Sequence, residues 1–188
     1  IVTNVSFDHT EFLGDTIEKI AAEKAGIIKK SIPVIVGEKS DAYNGVFESR
    51  ARELNSKLIF AEDEFVLNAV EHFDDNNQHF SVLRIRDNRT FELDLDLLGD
   101  YQRHNIITAC AAADLLAEQT PLTISRRAFR DGIARAAANT GLMGRWQVIG
   151  DEPYTVCDTG HNADGMRIVA AQLEALETDR IFAVMGFA

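Results

Sequence analysis

Pro33-Val34-Ile35-Val36-Gly37 is a short, wholly apolar run closed by a glycine. Such a run, too brief for a helix, marks a strand buried on both faces. Upstream, the apolar spacing predicts a helix from about Thr16 to Ile28. Asp15, with Glu18 three residues on, resembles a capping box at its start. Before that helix, Ile1-Val2-Thr3-Asn4-Val5 reads as a strand ending at Ser6-Phe7-Asp8-His9. Downstream come a helix around Val46–Leu54 and a strand at Lys57–Phe60. This β-α-β-α-β rhythm predicts a mostly parallel sheet with covering helices.

The middle of the chain changes character. Phe65–Phe73, Phe80–Arg86 and Phe91–Leu97 read as strands, separated by Asp74-Asp75-Asn76-Asn77 and Asp87-Asn88. Polar turns between alternating runs predict an antiparallel meander. Helices are then expected at His104–Glu118 and Ser125–Ala138, the second with Ser125 as N-cap. The pattern breaks between Asn139 and Gly150, where a domain boundary is placed. Beyond it, a strand at Tyr154–Cys157, a helix at Ala163–Leu176 and a strand at Arg180–Met185 would form one β-α-β unit. The expected class is therefore α/β, a mostly parallel sheet plus a β meander, followed by the start of a second Rossmann-like α/β domain. The division is residues 1–141 and 142–188, with a hinge opening the second part.

The chain has 188 residues, 46% apolar and 26% charged, enough for a packed core. Its formal charge of −11 argues against coating nucleic acid or an anionic membrane surface. Cys110 and Cys157 make no disulfide framework, and a reduced cytoplasmic setting is expected. No apolar run approaches the roughly 20 residues that span a bilayer. Both ends read as interrupted strands, so the chain is expected to be an internal piece of a longer protein.

Five places carry chemistry. Asp8-His9 closes a strand, at the sheet edge where ligands collect; the pair suits a metal, acid–base work or simple capping. Lys24 shares an i, i+3, i+4, i+7 stripe with Ile17, Ile20, Ala21 and Ile28, and so faces the core side. Either its stem snorkels, or its amine is partly desolvated and nucleophilic enough to be carbamylated by carbon dioxide. His104-Asn105 opens an Ala-rich helix, where backbone N–H groups attract anions and an Asn amide can read an adenine edge; capping is the plainer alternative. Gly144-Arg145-Trp146 puts a phosphate-binding side chain in a flexible segment, or a surface Arg beside an anchoring Trp. Asp158-Thr159-Gly160-His161-Asn162 follows a strand and precedes a helix, either as a ligand edge or as a β–α turn with an Asn N-cap.

Together these residues resemble a known family. Asp8-His9-Thr10-Glu11-Phe12-Leu13-Gly14-Asp15-Thr16, followed by Ile20-Ala21-Ala22-Glu23-Lys24-Ala25-Gly26-Ile27-Ile28-Lys29, is similar to the signature of folylpolyglutamate synthase/dihydrofolate synthase, within the Mur ligase superfamily. Tyr101-Gln102-Arg103-His104-Asn105, Gly144-Arg145-Trp146 and Asp158-Thr159-Gly160-His161-Asn162 follow in the family's order. The resemblance implies that His9 holds a magnesium ion and that Lys24 is carbamylated. It implies that Asn105, Arg145 and Asp158 contact the adenine edge, phosphates and ribose of ATP. His161 corresponds to a histidine in the closing cleft, near nucleotide or incoming glutamate.

Two departures accompany it. The family more often reads Asp-Gly-Ala-His-Asn where this chain has Asp158-Thr159-Gly160-His161-Asn162. The Gly-rich loop that cradles phosphates is expected upstream of Ile1, as are the acidic second magnesium ligand and most of the pteroate surface. Residues 1–141 would then be part of a central ATPase domain, and 142–188 the hinge and first unit of a glutamate-ligase domain. The implied parent is a monomeric, cytoplasmic ATP- and magnesium-dependent ligase, joining L-glutamate to dihydropteroate or folate through an acyl phosphate. The piece itself is expected to lack ligase activity. Another Mur-type amide ligase, or a nucleotide-binding module without catalysis, are the alternatives.

Overall fold

The computed structural model describes residues 1–7, 15–74 and 77–186. Asp8 and His9 therefore lie outside the described residues, as do Asp75 and Asn76 of the first meander turn.

Helix α1 (Ile17–Ala25) is followed by β1 (Val34–Val36), α2 (Asn44–Glu53) and β2 (Leu58–Phe60). Strands β1 and β2 are parallel, with Val34 opposite Leu58 and Val36 opposite Phe60. The expected first strand is reduced to one parallel bridge, Val2 to Val36. Val2 donates its N–H to Ile35 O and accepts from Gly37 N, both at 2.8 Å. The order is thus Val2 segment, β1, β2, with β1 central. Alternation along β1 explains why it is apolar throughout. Val34 and Val36 pack with Ile20, Ala21, Phe47 and Phe60 in one core, while Ile35 points into the other.

The predicted start of α1 needs correction. Thr16, not Asp15, is the N-cap, its side chain accepting from Lys19 N at 3.3 Å. Asp15 instead pairs with the Lys19 ammonium one turn on. A hydroxyl one residue closer to the first helical turn reaches the orphan N–H groups more directly.

A one-turn helix, α3 (Ala61–Glu64), leads into the meander of β3 (Phe65–Asp74), β4 (Asn77–Arg84) and β5 (Arg89–Leu95). It is antiparallel in the order β3-β4-β5, as its polar turns predict. Its inner face, including Phe80, Val82 and Leu93, packs on Ile106, Ile107 and Cys110 of the long helix α4 (Gln102–Gln119). Arg84 ties the meander to that helix, donating from Nη1 to both carboxylate oxygens of Asp114 at 3.0 Å. The segment expected as one helix from Ser125 is two, α5 (Arg126–Ile133) and α6 (Ala136–Thr140). Ser125 does cap α5, accepting from Ala128 N at 3.1 Å.

The region read as patternless holds a strand, β6 (Gln147–Asp151), paired antiparallel with β7 (Tyr154–Cys157). Helix α7 (Ala163–Glu174) follows. The strand expected at Arg180–Met185 is not formed among the described residues. Strand β7 pairs only with β6 there, so no neighbour lends this segment a ladder, and Ile181, Phe182, Val184 and Met185 stay exposed. What was expected as a β-α-β unit is a hairpin followed by a helix.

Candidate active site

A cavity of about 660 Å³ opens between the carboxyl end of β1, the first turns of α4 and the segments flanking β6 and β7. Lys24, Glu38, His104 and Asn105 line one wall. Arg145, Asp158 and His161 line the other.

Lys24 sits on α1, whose Ile20, Ala21 and Ala25 are buried. Its half-buried stem runs past them, and Nζ donates to Asn4 O at 2.9 Å. The amine is thus led to the cavity by the snorkelling path that its place on the apolar stripe allows.

Glu38 follows directly on Gly37. A Cβ at Gly37 would lie 2.3 Å from Thr3 O and 2.5 Å from Thr108 Oγ1. Only glycine lets the first segment, β1 and α4 meet there. Burial pushes the Glu38 carboxyl above the usual carboxylate range, and Glu62 adds to this, while nearby His104 works the other way. Nothing in the motif reading singled out Glu38. The signal was its position, two residues past the end of an interior parallel strand, where ligand-facing groups collect.

Helix α4 opens with Gln102, 5% exposed, whose Oε1 accepts from Asn105 Nδ2 at 2.8 Å. Just before it, Tyr101 Oη donates to Asp158 Oδ2 at 2.9 Å. Burial, then this bond, raises the Tyr101 phenol well above its ordinary value. Gly99 makes room for the ring, since a Cβ there would lie 2.4 Å from it.

Asp158 is a hub. Its Oδ2 also accepts from Trp146 N at 2.7 Å, and its Oδ1 from Gly160 N at 2.7 Å. Trp146 has a left-handed backbone, φ +47°, although it is not glycine. Such a residue costs about 1–2 kcal/mol, offset here by a buried ring and the amide bond to Asp158. Gly144, φ +68°, precedes it, and its carbonyl accepts from Thr159 N and Oγ1, both at 2.9 Å. Arg145 lies between these two left-handed positions. It makes no hydrogen bond or ion pair with the described residues, and its charge acts on Tyr101. His161 Nδ1 lies 3.2 Å from Thr159 O, a hydrogen bond made by the tautomer that carries its proton on that nitrogen. Asn162 caps α7, accepting from Gly165 N at 2.7 Å.

Five of the six residues singled out from the sequence therefore face one cavity: Lys24, Asn105, Arg145, Asp158 and His161. The sixth, His9, lies outside the described residues. Sequence reasoning passed over Glu38, and it quoted Tyr101 and His104 within a motif without giving either side chain a role of its own. Among the described residues, no group of three or more His, Cys, Asp or Glu could hold a metal ion. They do not by themselves make a magnesium site. Cys110 is buried, and that burial pushes its thiol up to about 12. A second cavity of about 580 Å³, between the meander and α5, contains none of the six. Among the described residues, no helix is long and apolar enough to cross a membrane.

The Mur ligase middle-domain model matches residues 1–113, more than half of the chain. The chain belongs to the Mur ligase family. Relatives of this Mur ligase chain include the folylpolyglutamate synthase of Lacticaseibacillus casei, 33% identical over 99% of the chain and 42% of that protein. The dihydrofolate synthase/folylpolyglutamate synthase of Escherichia coli K12 is 30% identical, over 99% of the chain and 40% of that protein. Among solved structures, the FPGS-AMPPCP-folate complex superposes with a TM-score of 0.82 at 30% identity, over 93% of the chain and 41% of its own. E. coli FolC in complex with DHPP and ADP gives a TM-score of 0.71 at 29% identity, over 95% and 38%. The chain thus spans about 42% of the length of the L. casei enzyme. These relatives and solved structures carry the folylpolyglutamate or dihydrofolate synthase names whose motifs the sequence resembles.

Proposed function

We propose that the whole protein is an ATP-dependent carbon–nitrogen ligase that adds L-glutamate to dihydropteroate, folate or both. The observation that carries this reading is the cavity in which Lys24, Glu38 and Asn105 face Arg145, Asp158 and His161. Its volume suits a small-molecule site, and Arg145 brings a guanidinium with no partner among the described residues.

The chemistry asks for what these groups offer. A carboxylate at neutral pH is a poor electrophile. Phosphoryl transfer from ATP converts it to an acyl phosphate and releases ADP. The glutamate amine then attacks the acyl carbon, and the tetrahedral intermediate expels inorganic phosphate as the C–N bond is made. Arg145 neutralises charge on phosphoryl oxygens, Asn105 reads the adenine edge, and Asp158 takes the ribose side. His161 stands near the nucleotide or the incoming glutamate. Lys24 would work as a carbamate, which trades the ammonium charge for an anionic carboxylate while Nζ keeps one N–H for the Asn4 carbonyl. His9 would hold magnesium, which supplies charge neutralisation at the phosphates when bound. Residues 1–141 belong to the ATPase domain, and 142–188 supply the hinge and the start of the glutamate-ligase domain. A monomer in the cytoplasm fits this reading.

The test is ligation by the whole protein, with labelled glutamate, ATP and either dihydropteroate or folate. ATP-dependent product with either acceptor is expected. Binding of nucleotide without transfer to any acceptor would leave a nucleotide-binding module, and transfer only to a cell-wall precursor would move the protein to another Mur branch.

A further inference from the structure

Gln172 is the buried residue of α7, 7% exposed on a helix otherwise half-buried or exposed. Both ends of its amide are used, and both reach the loop before α4. Nε2 donates to Leu98 O at 2.9 Å, and Oε1 accepts the Asp100 N–H at 2.9 Å. The same loop is held from its other side by Gln78 of β4, 1% exposed. Gln78 Nε2 donates to Leu97 O at 2.7 Å and to Gly99 O at 3.2 Å. Residues 97–100 form no helix or strand, yet four of their backbone polar groups are satisfied, by two glutamine side chains. Buried backbone groups demand such partners. Gln78 Oε1 is itself buried with no hydrogen-bond partner, so this residue is kept for its donor, not for a balanced pair of bonds. One residue further on, Tyr101 reaches Asp158, and within the next turn come His104 and Asn105.

We infer that Gln172 is a positioning residue: it docks α7 on the 97–101 loop and so sets the spacing between the Asn105 wall and the Asp158 wall of the cavity. Gln78 is the fixed anvil and Gln172 the removable clamp. Because the bonds go to backbone, the loop's own sequence matters little, while the length and amide of Gln172 matter much. For its kinetic consequence the inference rests on the proposed ligase activity; for its structural content it does not.

The test uses the whole protein with Gln172→Leu, which keeps the bulk without the amide, and Gln172→Glu, which keeps the acceptor for Asp100 but loses the donor to Leu98. Amide hydrogen exchange is followed at Asp100 and, as a control, at Phe80 and Val82 in the meander. Gln172→Leu is expected to speed exchange at Asp100 about fivefold or more, with the control amides unchanged. Gln172→Glu is expected to retain most of that protection. In steady-state ligation, Gln172→Leu should raise the KM for ATP by a larger factor than it lowers kcat. Unchanged exchange at Asp100 in Gln172→Leu overturns the inference, as does an equal acceleration at Phe80 and Val82, which would mean general loosening. If the wild-type protein ligates nothing, the proposed function fails, and exchange at Asp100 still decides the clamp.

Discussion

The two walls of the cavity are held by different forces. Behind Lys24, Glu38 and Asn105 stand two apolar cores, with Ile20, Val36, Phe47, Phe80 and Val82 each less than 2% exposed. Behind Arg145, Asp158 and His161 there is little of the kind: among the described residues past Gly141, Trp146 and Gln172 are the buried side chains of any size. That wall is instead pinned by hydrogen bonds, three to the Asp158 carboxylate, two to the Gly144 carbonyl and two to the Gln172 amide. Apolar burial is strong and non-directional, whereas each hydrogen bond contributes only about 1 kcal/mol net but fixes an angle. A wall held this way is oriented sharply, yet it can be released at small cost. A cleft that must admit and expel ligands needs that combination on one side only.

The largest expected effect attacks the apolar side. Phe47 is fully buried and meets Tyr43 edge-on, with ring centroids 6.0 Å apart. Phe47→Ala is expected to lower stability by about 3–5 kcal/mol, read from denaturant midpoints. A loss under about 1 kcal/mol would mean that this core does not carry its wall. Next comes the polar side. Tyr101→Phe removes one bond to Asp158 and is expected to cost about 1.5 kcal/mol, with hydrogen exchange in α1 and β1 unchanged. Equal loosening of both regions would erase the contrast between the walls.

The smallest effect is electrostatic. Burial, the main cause, raises the Glu38 carboxyl above its ordinary value of 4.5. The fold therefore binds this proton more tightly than the unfolded chain does. Stability conferred by the protonated form is lost as pH rises from about 4.5 through the raised value. Thermal melts across that range should show wild type declining relative to Glu38→Gln, which has no proton to lose. Parallel curves for the two proteins would show the carboxyl to be well solvated.

What could be read in the sequence follows from the range of the forces involved. The meander was legible because its alternation and polar turns are local, and Lys24 was legible because one charge interrupts an otherwise apolar stripe. The Asp15 cap was misread because Asp15 and Thr16 are both good caps, and the choice between them rests on geometry one residue wide. Strand β6 was missed because Gly144 and Gly150 mask a short run that, among the described residues, pairs only with β7. Glu38 carries no motif, and its burial is a property of α4 arriving from 66 residues away at His104. Gln78 and Gln172 stand on a strand and a helix with no motif around them to mark them. Nothing local tells a glutamine that will hold a distant loop from one that faces water.

The tryptophan at the junction has a practical consequence. Trp146 is the single indole of the chain, 3% exposed, with its own amide anchored on the Asp158 carboxylate. Intrinsic emission excited at the indole band therefore reports on this joint and on no other part of these 188 residues. A red shift or quench on adding a nucleotide would register the movement of one wall against the other, without any label being attached.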